Sequence, residues 1–257
     1  MSTSVYKLGG PALEDPGLLS PLAAELRAAG ARSAVVHGGG RHVERLLRAL
    51  GIESRFVEGR RETSPAAMEV VEMVLSGVLN KAVAAGLTQA GVPAVGVSGR
   101  DGGLLRARVE PGLGRVGTPV SLDTAPLRAL WAAGFVPVVS PVSSGEAGES
   151  LNVNADEAAL AVALALGADT LVYLSDVDGV GAGAGVLESL DGAEAERLIA
   201  DGTIGGGMAL KVRVALEAAR AGIPEVVVAG KARLLGGFRG TRVHAPVLEA
   251  AAGGAAR

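Results

Sequence analysis

The sequence predicts an α/β protein whose central sheet is mainly parallel and covered by helices on both faces. Short apolar runs rich in valine alternate with longer amphipathic stretches, as SAVVH at 33–37 does with RHVERLLRALG at 41–51. Strands buried on both faces form such runs, and the helices between them connect parallel neighbours. Of the 257 residues, 49% are hydrophobic and 20% charged, which is enough apolar content for a substantial core.

Up to residue 142 the pattern predicts strands, a hairpin and helices. The third helix is the longest and should begin at Ser64 and Pro65, with serine as N-cap and proline in the first turn. Asp123 is expected to cap the fourth helix. Within each class, in chain order, the strands are SVYKLGG (4–10), SAVVHGGG (33–40), AVGVSG (94–99) and VPVVSPV (136–142), the hairpin is LLRARVEPGLGRVGTPVSL (104–122), and the helices are LLSPLAAELRAAGA (18–31), RHVERLLRALG (41–51), AAMEVVEMVLSGVLNKAVAAGLTQAG (66–91) and TAPLRALWAAG (124–134).

The rest of the chain repeats the alternation of helices and strands. A helix is predicted from Asn154, and the segments after it are the strand TLVYLSDVDGV (170–180), the helices DGAEAERLIADG (191–202) and GMALKVRVALEAARAG (207–222), and the strands EVVVAG (225–230) and TRV (241–243). No flexible linker interrupts the chain. We expect one domain, 1–257, with an N-lobe of residues 1–170 and a C-lobe of 171–257. The tail AAAGGAAR, 250–257, is expected to fray.

Composition excludes several classes of function. The net charge is −3, and no basic stripe alternates with aromatic residues, so no nucleic-acid partner is expected. The absence of cysteine excludes disulfides, thiol nucleophiles and cysteine metal sites. The N-terminus lacks the pattern of a secretory signal, and no run of about 18 uninterrupted apolar residues predicts a membrane span. A cytoplasmic protein without a membrane partner is therefore expected.

Three glycine clusters follow predicted strands, where ligands bind in open α/β sheets. They are Gly9-Gly10, Gly38-Gly39-Gly40, and Gly99 with Gly102-Gly103. Glycine lets backbone amides approach a ligand closely, and the helix after HGGG adds partial positive charge, although a ligand-free tight turn would need glycine too. The usual phosphate-loop and dinucleotide signatures are absent, and the histidines lack a zinc-binding spacing, so no metal-ligating residue is predicted.

Lysine is rare in this chain, so its positions are informative. Of the 24 basic residues only four are lysines: Lys7, Lys81, Lys211 and Lys231. Lys7 ends the first strand and Lys211 lies near the start of a helix, so both are expected at the same rim of the sheet. Two flexible ammonium groups beside amide-rich loops suit a transferring phosphoryl group. The alternative is a surface strand end and a solvated helix residue.

The segment LNVNADEAA at 151–159 holds two of the three asparagines of the chain. One N-cap would need a single asparagine, so Asn152, Asn154 and Asp156 together suggest substrate hydrogen bonds and a carboxylate that orients the lysines. In EGRRET, Arg61 could bind a substrate carboxylate bidentately while Arg60 is a surface charge, or the two roles could be reversed. Spacing does not choose between them.

Seven ordered segments together resemble the amino acid kinase family: KLGG (7–10), HGGG (37–40), FVEGRRET (56–63), EVVEMVLSGVLNK (69–81), LNVNADEAA (151–159), SDVDGV (175–180) and GGMALKV (206–212). The resemblance implies a three-layer αβα sandwich, ATP with Mg²⁺, and phosphorylation of the side-chain carboxylate of N-acetyl-L-glutamate. The product would be N-acetyl-L-glutamyl 5-phosphate, in arginine biosynthesis.

The resemblance also implies a role for each matched residue. Lys7, Lys211 and Asp156 would be catalytic, with both lysines stabilising the phosphoryl group and the aspartate organising them. Substrate would be bound by Gly39, Gly40, Arg61 and Asn152. The nucleotide would be bound by Gly9, Gly10, Ser175, Asp176, Asp178, Gly179, Gly206 and Met208, although Asp176 and Asp178 could equally be plain turn residues. The helix from Pro65 is similar to one that forms the dimer interface in this family, although its apolar residues could equally be ordinary core.

Several segments depart from the family pattern. GRRET replaces the more usual Gly-Leu-Arg-Val-Thr, GGMALKV lacks a proline before its lysine, and the stretch after Gly179 is short and rich in glycine. The N-terminal extension of arginine-inhibited hexameric members is missing, so we expect a homodimer without arginine feedback. The rival functions are a carrier-protein-linked aminoadipate kinase of lysine biosynthesis and a non-catalytic amino acid or nucleotide sensor on the same fold.

Overall fold

The structure is a computed structural model that describes residues 2–10, 12–15, 17–29, 32–57, 59–182, 185–235 and 240–245. The tail 250–257 lies outside them. In chain order the strands are β1 Thr3–Leu8, β2 Arg32–His37, β3 Phe56–Val57, β4 Arg60–Arg61, β5 Ala94–Ser98, β6 Leu105–Val109, β7 Val116–Leu122, β8 Val136–Ser140, β9 Val142–Ser144, β10 Ser150–Val153, β11 Thr170–Leu174, β12 Gly181–Ala182, β13 Gly185–Val186, β14 Ser189–Leu190, β15 Glu225–Ala229 and β16 Thr241–Val243. The α-helices are α1 Leu19–Ala29, α2 Gly40–Ala49, α3 Pro65–Glu72, α4 Asn80–Gln89, α5 Ala125–Ala132, α6 Ala155–Leu166, α7 Gly192–Ala200 and α8 Gly206–Arg220.

Eight of these strands form the central sheet, in the order β14-β16-β15-β11-β1-β2-β8-β5. Every neighbouring pair is parallel except β15 and β16, which are antiparallel. The prediction of a mainly parallel sheet is confirmed. Since α1 leads from β1 to β2 on one side and α6 leads into β11 on the other, β1 lies at the topological switch point, where ligands bind.

Helices cover both faces of this sheet, so the three-layer αβα architecture is confirmed. Successive side chains of a strand point to opposite faces. Val5 of β1 accordingly belongs to the apolar cluster that contains α6 and α8, whereas Tyr6 and Leu8 belong to the cluster that contains α1 and α4. Lys7 follows Val5 by two residues, which directs it to the side of α6 and α8.

A second, closed sheet of four short strands, in the order β10-β7-β6-β9, lies beside the central one. The predicted hairpin is confirmed as β6 and β7, which pair antiparallel. The strands β9 and β10 were not predicted, and here one expectation is wrong. Asn152 does not lie at a helix entrance, because it belongs to β10 and pairs with Val116 and Val142. Only Asn154 caps α6.

The predicted long third helix is confirmed, with a change of winding in its middle. Ser64 is its N-cap, and its hydroxyl accepts a hydrogen bond from the amide of Ala67 at 3.1 Å. The helix runs from α3 through a π-helical segment, Met73–Leu79, into α4. Among the described residues it is the one helix whose length and mean hydropathy, 1.5, would suit a membrane span, yet half of its apolar window is buried inside the protein.

The fourth helix begins slightly differently from the prediction. Thr124 is the N-cap of α5 and makes no capping bond with its side chain. Asp123, one residue earlier, accepts a hydrogen bond from the amide of Ala125 at 2.9 Å. The aspartate therefore does satisfy an amide of the first turn, from one position further out.

Candidate active site

Seven of the predicted site residues border a cavity of about 170 Å³ at the carboxyl ends of β1 and β2, whereas Lys211 does not line it. Two glycine clusters, the hairpin strand β4 and the entrance of α6 form its walls. The sequence-predicted residues that line it are Lys7, Gly10, Gly39, Gly40, Arg61, Asn152 and Asp156. The third glycine cluster, at Gly99, does not line this cavity.

Lys7 and Lys211 converge on one carboxylate oxygen. The Nζ atom of Lys7 lies 2.7 Å from Oδ1 of Asp156, and the Nζ atom of Lys211 lies 2.9 Å from the same atom. Three elements remote in sequence, β1, α6 and α8, carry these side chains. Each side chain is less than a tenth exposed. Two buried ammonium groups sharing one carboxylate leave a local charge of about +1, which suits an anionic ligand.

The ionisation of this group follows from burial and mutual attraction. Burial disfavours the charged carboxylate of Asp156, but attraction to Lys7 and Lys211 outweighs burial and lowers its pKa to about 2. Burial lowers the pKa of Lys7 to about 8; Asp156 opposes this shift, and Lys211 adds to it. At neutral pH the aspartate is therefore ionised and Lys7 carries its proton.

The entrance of α6 holds Asp156 in place. Oδ1 of Asn154 accepts hydrogen bonds from the amides of Asp156 at 2.8 Å and Glu157 at 3.3 Å, as an N-cap does. Asn152, on β10, donates from Nδ2 to the hydroxyl of Thr63 at 3.0 Å. The ring of Tyr173 lies under the Lys211 ammonium at 5.6 Å. The two asparagines thus have different roles, one in capping and one on the cavity wall.

The loop HGGG places backbone amides at the cavity. A Cβ atom at Gly39 would lie 2.2 Å from a terminal methyl group of Leu79 and 2.7 Å from one of Leu75, so both side chains would have to shift to admit it. Gly40 begins α2, and a Cβ atom there would meet nothing within 4 Å, so its surroundings are open. Gly10 packs against this loop, since its Cβ position is 3.2 Å from the Gly40 amide nitrogen. The free amides of the α2 N-terminus can bind an anion.

Both arginines of EGRRET line the cavity, and they contact opposite sides of it. Arg61 donates to Glu44 at 2.5 Å and to the carbonyl of Gly40 at 3.1 Å, and its guanidinium lies over the ring of Phe56. Arg60 pairs with Glu157 at 2.5 Å and with Glu110 at 3.2 Å. Neither arginine is merely surface charge.

His37 is a packed residue at the end of β2. It is fully buried, donates from Nδ1 to the carbonyl of Gly38 at 2.9 Å, and accepts at Nε2 from Asn80 at 3.1 Å. Burial lowers its pKa to about 4, so the ring is neutral. It therefore offers no proton that could be exchanged with a ligand in the cavity.

Except for Gly10, the residues predicted to bind nucleotide lie outside the cavity. Ser175, Asp176, Asp178 and Gly179 follow β11, and Gly230 packs against Asp178. Gly9 bonds to the carbonyl of Leu174 at 2.9 Å, which joins its loop to this group. Gly206 opens α8 with a positive φ of 55° and open space around it, while Met208 packs against the core. Their role stays a prediction.

Sequence reasoning missed several polar partners of the predicted residues. Glu44 and Ser54 hold Arg61, Thr63 holds Asn152, and Glu157 holds Arg60. Only Glu157 had a local signal, since it follows Asp156 in the first turn of α6. Pairing of the others depends on chain packing that spacing does not reveal.

A parallel sheet that brings two lysines to one carboxylate, beside free helix amides and a buried arginine, defines a kinase of small molecules. The chain belongs to the amino acid kinase family, whose sequence profile matches residues 2–230.

The acetylglutamate kinase of Rubrobacter xylanophilus is 48% identical to this chain over 256 residues, covering 95% of the chain and 98% of the relative. Among solved structures, smu.665 from Streptococcus mutans superimposes with a TM-score of 0.86 at 26% identity, covering 94% of this chain and 98% of that one. Carbamate kinase from Giardia lamblia bound to AMP-PNP has a TM-score of 0.68 at 18% identity, covering 95% and 98%. This last likeness concerns the fold alone.

Proposed function

We propose that this protein transfers the γ-phosphoryl group of ATP to the side-chain carboxylate of N-acetyl-L-glutamate. The products are N-acetyl-L-glutamyl 5-phosphate and ADP, and the reaction serves arginine biosynthesis. The observation that carries the proposal is the convergence of Lys7 and Lys211 on Oδ1 of Asp156 beside the cavity. The name of the relative from Rubrobacter xylanophilus, acetylglutamate kinase, supports the choice of substrate.

The acceptor needs no general base. A glutamate side chain has an ordinary pKa of about 4.3, so it is already a carboxylate nucleophile at neutral pH. This agrees with a cavity whose nearby imidazole, His37, is neutral and engaged at both nitrogens. Arg61 would bind the other carboxylate of the substrate. Asn152 and the backbone amides of Gly39 and Gly40 would bind the remaining polar groups of the substrate.

The chemical step requires mainly positioning and charge stabilisation. A carboxylate oxygen forms a bond to the γ-phosphorus, the bond from that phosphorus to the bridging oxygen breaks, and ADP leaves with the electron pair. Lys7, which lines the cavity, would neutralise charge on the transferring group from the acceptor side. Lys211, on α8, would do so from the nucleotide side, and Asp156 fixes the distance between the two ammonium groups.

The residues present fit a nucleotide carrying magnesium. Gly205, Gly206 and Gly207 leave open space at the N-terminus of α8, where amides can meet phosphate oxygens. Among the described residues, no three His, Cys, Asp or Glu side chains cluster closely enough to hold a metal. Mg²⁺ commonly keeps water and substrate phosphates as ligands, so it would arrive with ATP and neutralise phosphate charge.

The two rivals have less support. The sensor would not need a buried pair of lysines on one aspartate beside the cavity. The carrier-linked aminoadipate kinase shares this chemistry, so only the acceptor separates it from the proposed enzyme. The name of the relative at 48% identity favours the acetylated glutamate.

An assay of ADP release tests the proposal. The purified protein is given ATP and Mg²⁺ with either N-acetyl-L-glutamate or carrier-bound aminoadipate. We expect ADP release and a hydroxylamine-reactive acyl phosphate with the first acceptor only. Turnover of carrier-bound aminoadipate alone would replace the substrate, and no turnover with either would favour the sensor.

The lobes, the oligomer and the compartment are part of the same proposal. The chain is one kinase domain with an N-lobe of 1–170 for substrate and dimerisation and a C-lobe of 171–257 for ATP. The sheet order supports this division, because β11, β15, β16 and β14 all lie on one side of β1. We propose a cytoplasmic homodimer, which contacts neither nucleic acid nor membrane.

A further inference from the structure

Arg60 makes ion pairs with two carboxylates, although it lies in a short strand near the surface. Its Nη2 atom lies 2.5 Å from Oε1 of Glu157, and its Nη1 atom lies 3.2 Å from Oε2 of Glu110. The Arg60 side chain is 24% exposed and that of Glu157 only 13%. A pair so little exposed is screened less by solvent than a surface pair, and its geometry matters more.

The two neighbouring arginines fix β4 to opposite walls of the cavity. Successive side chains of a strand point in opposite directions. Arg61 reaches α2, through Glu44 and the carbonyl of Gly40, and Arg60 reaches α6, through Glu157. The amino ends of these two helices carry the glycine loop and Asp156. The position of β4 is therefore set by contacts on both sides.

We propose that Arg60 is a positioning residue: its ion pairs with Glu157 and Glu110 hold β4 against the cavity, so that Arg61 is presented to the acceptor substrate. This inference rests on the proposed function, since it names the acceptor as the ligand of Arg61. In this proposal Glu157 connects β4, the strand that carries Arg61, to α6, the helix that carries Asp156.

Arg60 is the main group that stabilises the negative charge of the partly buried Glu157 carboxylate. Its second oxygen, Oε2, is buried and has no hydrogen-bond partner among the described residues. Burial raises the pKa of the Glu157 carboxyl; Arg60 opposes this shift, and the charges of Glu217 and Glu110 add to it. Without Arg60 this carboxylate would be buried and unpaired, which is costly. Loss of either partner should therefore release the same strand.

The kinetic test compares Arg60→Leu, Glu157→Gln and the double variant. We expect each single change to raise KM for N-acetyl-L-glutamate roughly tenfold, with kcat within about threefold and KM for ATP unchanged. The double variant should be no worse than the poorer single variant, because both changes break one contact. Arg60→Lys should restore part of the loss, since an ammonium can still pair with one glutamate.

A matched control is the neighbouring Arg55, which pairs with Glu62 and whose own side chain is 76% exposed. Arg55→Leu should leave KM unchanged. If Arg60 instead bound substrate directly, Arg60→Leu would raise KM while Glu157→Gln would not, and the positioning role would be overturned. Should Arg60→Leu fail to fold, Glu157→Gln and Glu110→Gln probe the same contacts with Arg60 still present.

Hydrogen exchange gives a readout that does not depend on the reaction. Amides of residues 56–57 and 59–61 should exchange roughly tenfold faster in Arg60→Leu and Glu157→Gln than in the unaltered protein or in Arg55→Leu. Unchanged exchange together with unchanged KM would refute the positioning role. If the unaltered protein does not phosphorylate N-acetyl-L-glutamate, the proposed function fails, whereas faster exchange would still show that Arg60 fixes β4.

Discussion

At the scale of single residues, the shared oxygen of Asp156 explains why lysine is kept where this chain otherwise prefers arginine. Two ammonium groups can approach one oxygen at 2.7 and 2.9 Å, each as a compact point charge. The planar forks of two guanidinium groups would need more oxygens to satisfy their donors. Each lysine still has donors available for a phosphate.

The first prediction concerns these lysines. Lys7→Ala and Lys211→Ala should each lower kcat by roughly 10²–10³-fold, because each removes charge stabilisation made mainly in the transition state. The changes in KM should be smaller. Steady-state kinetics with N-acetyl-L-glutamate and ATP measure both constants.

Lys81→Ala is the matched control, because Lys81 donates to the carbonyl of Gly96 at 2.7 Å and lies outside the cavity. It should keep nearly full kcat. Unchanged kcat in either Lys7→Ala or Lys211→Ala would remove that lysine from the catalytic group.

The second prediction is a loss of activity in alkali. Burial lowers the pKa of Lys7 from 10.5 to about 8, so its ammonium is present below that pH and is lost above it. Since kcat/KM reports groups of the free enzyme, kcat/KM should fall as the pH rises through about 8. A profile that stays level to about pH 10, near the ordinary lysine value, would contradict the lowered pKa.

At the scale of elements, the loop between β2 and α2 packs against the long helix 65–89. The third prediction is that Gly39→Ala lowers the melting temperature by several degrees. The new Cβ atom would overlap Leu75 and Leu79, and overpacking costs about 1–3 kcal/mol. Thermal unfolding followed by circular dichroism measures this change.

Gly40→Ala is the matched comparison in the same loop. Its Cβ atom has open space, so the melting temperature should hardly change. Gly40 lines the cavity, so this variant should instead raise KM for N-acetyl-L-glutamate. An equal loss of thermal stability in both variants would mean that helix packing does not select the glycine at position 39.

Most helices and strands could be predicted because each has its own periodic pattern of apolar residues. Strands such as β2 and β15 and the amphipathic α2 need no partner to be recognised. The short strands β3, β4, β9 and β10 were not predicted, since they are two to four residues long and hold polar residues such as Arg60 and Asn152. β3 and β4 pair with each other, and β9 and β10 pair with each other and with the hairpin strands β6 and β7, so pairing rather than an apolar pattern gives them their conformation.

At the scale of the whole molecule, the long helix 65–89 leaves apolar side chains uncovered. Met73 and Val78 are 54% and 65% exposed, while their neighbours Val74, Leu75 and Leu79 are buried. The fourth prediction is that the protein sediments as a dimer and that Met73→Glu with Val78→Glu shifts it to monomer, because charge would enter an apolar interface.

Val120→Glu is the control for this experiment, since Val120 is 61% exposed and belongs to β7 rather than to this helix. It should leave the dimer intact. A hexamer, or a dimer that survives both glutamates on the helix, would contradict the proposed interface.

The site residues are brought together by the topology of the sheet. The sequence could therefore place them at the rim of the sheet, but it could not show which of them contact one another. Glycine clusters, scarce lysines and the segments EGRRET and LNVNADEAA identified the cavity residues, and the family resemblance supplied their roles. The contacts of Arg61 with Glu44 and of Arg60 with Glu157 required the chain path, because 17 and 97 residues separate the partners. The same limit explains why Asn152 was expected at a helix entrance.

The neutral imidazole beside Lys7 has a consequence for how output responds to acidity. Because His37 stays uncharged until the pH approaches about 4, mild acidification adds no positive charge from this ring behind the glycine loop. A fall of the surrounding pH to somewhat below neutrality would therefore leave the charge of this ring unaltered. Any change of the reaction rate on mild acidification should then come from groups other than His37.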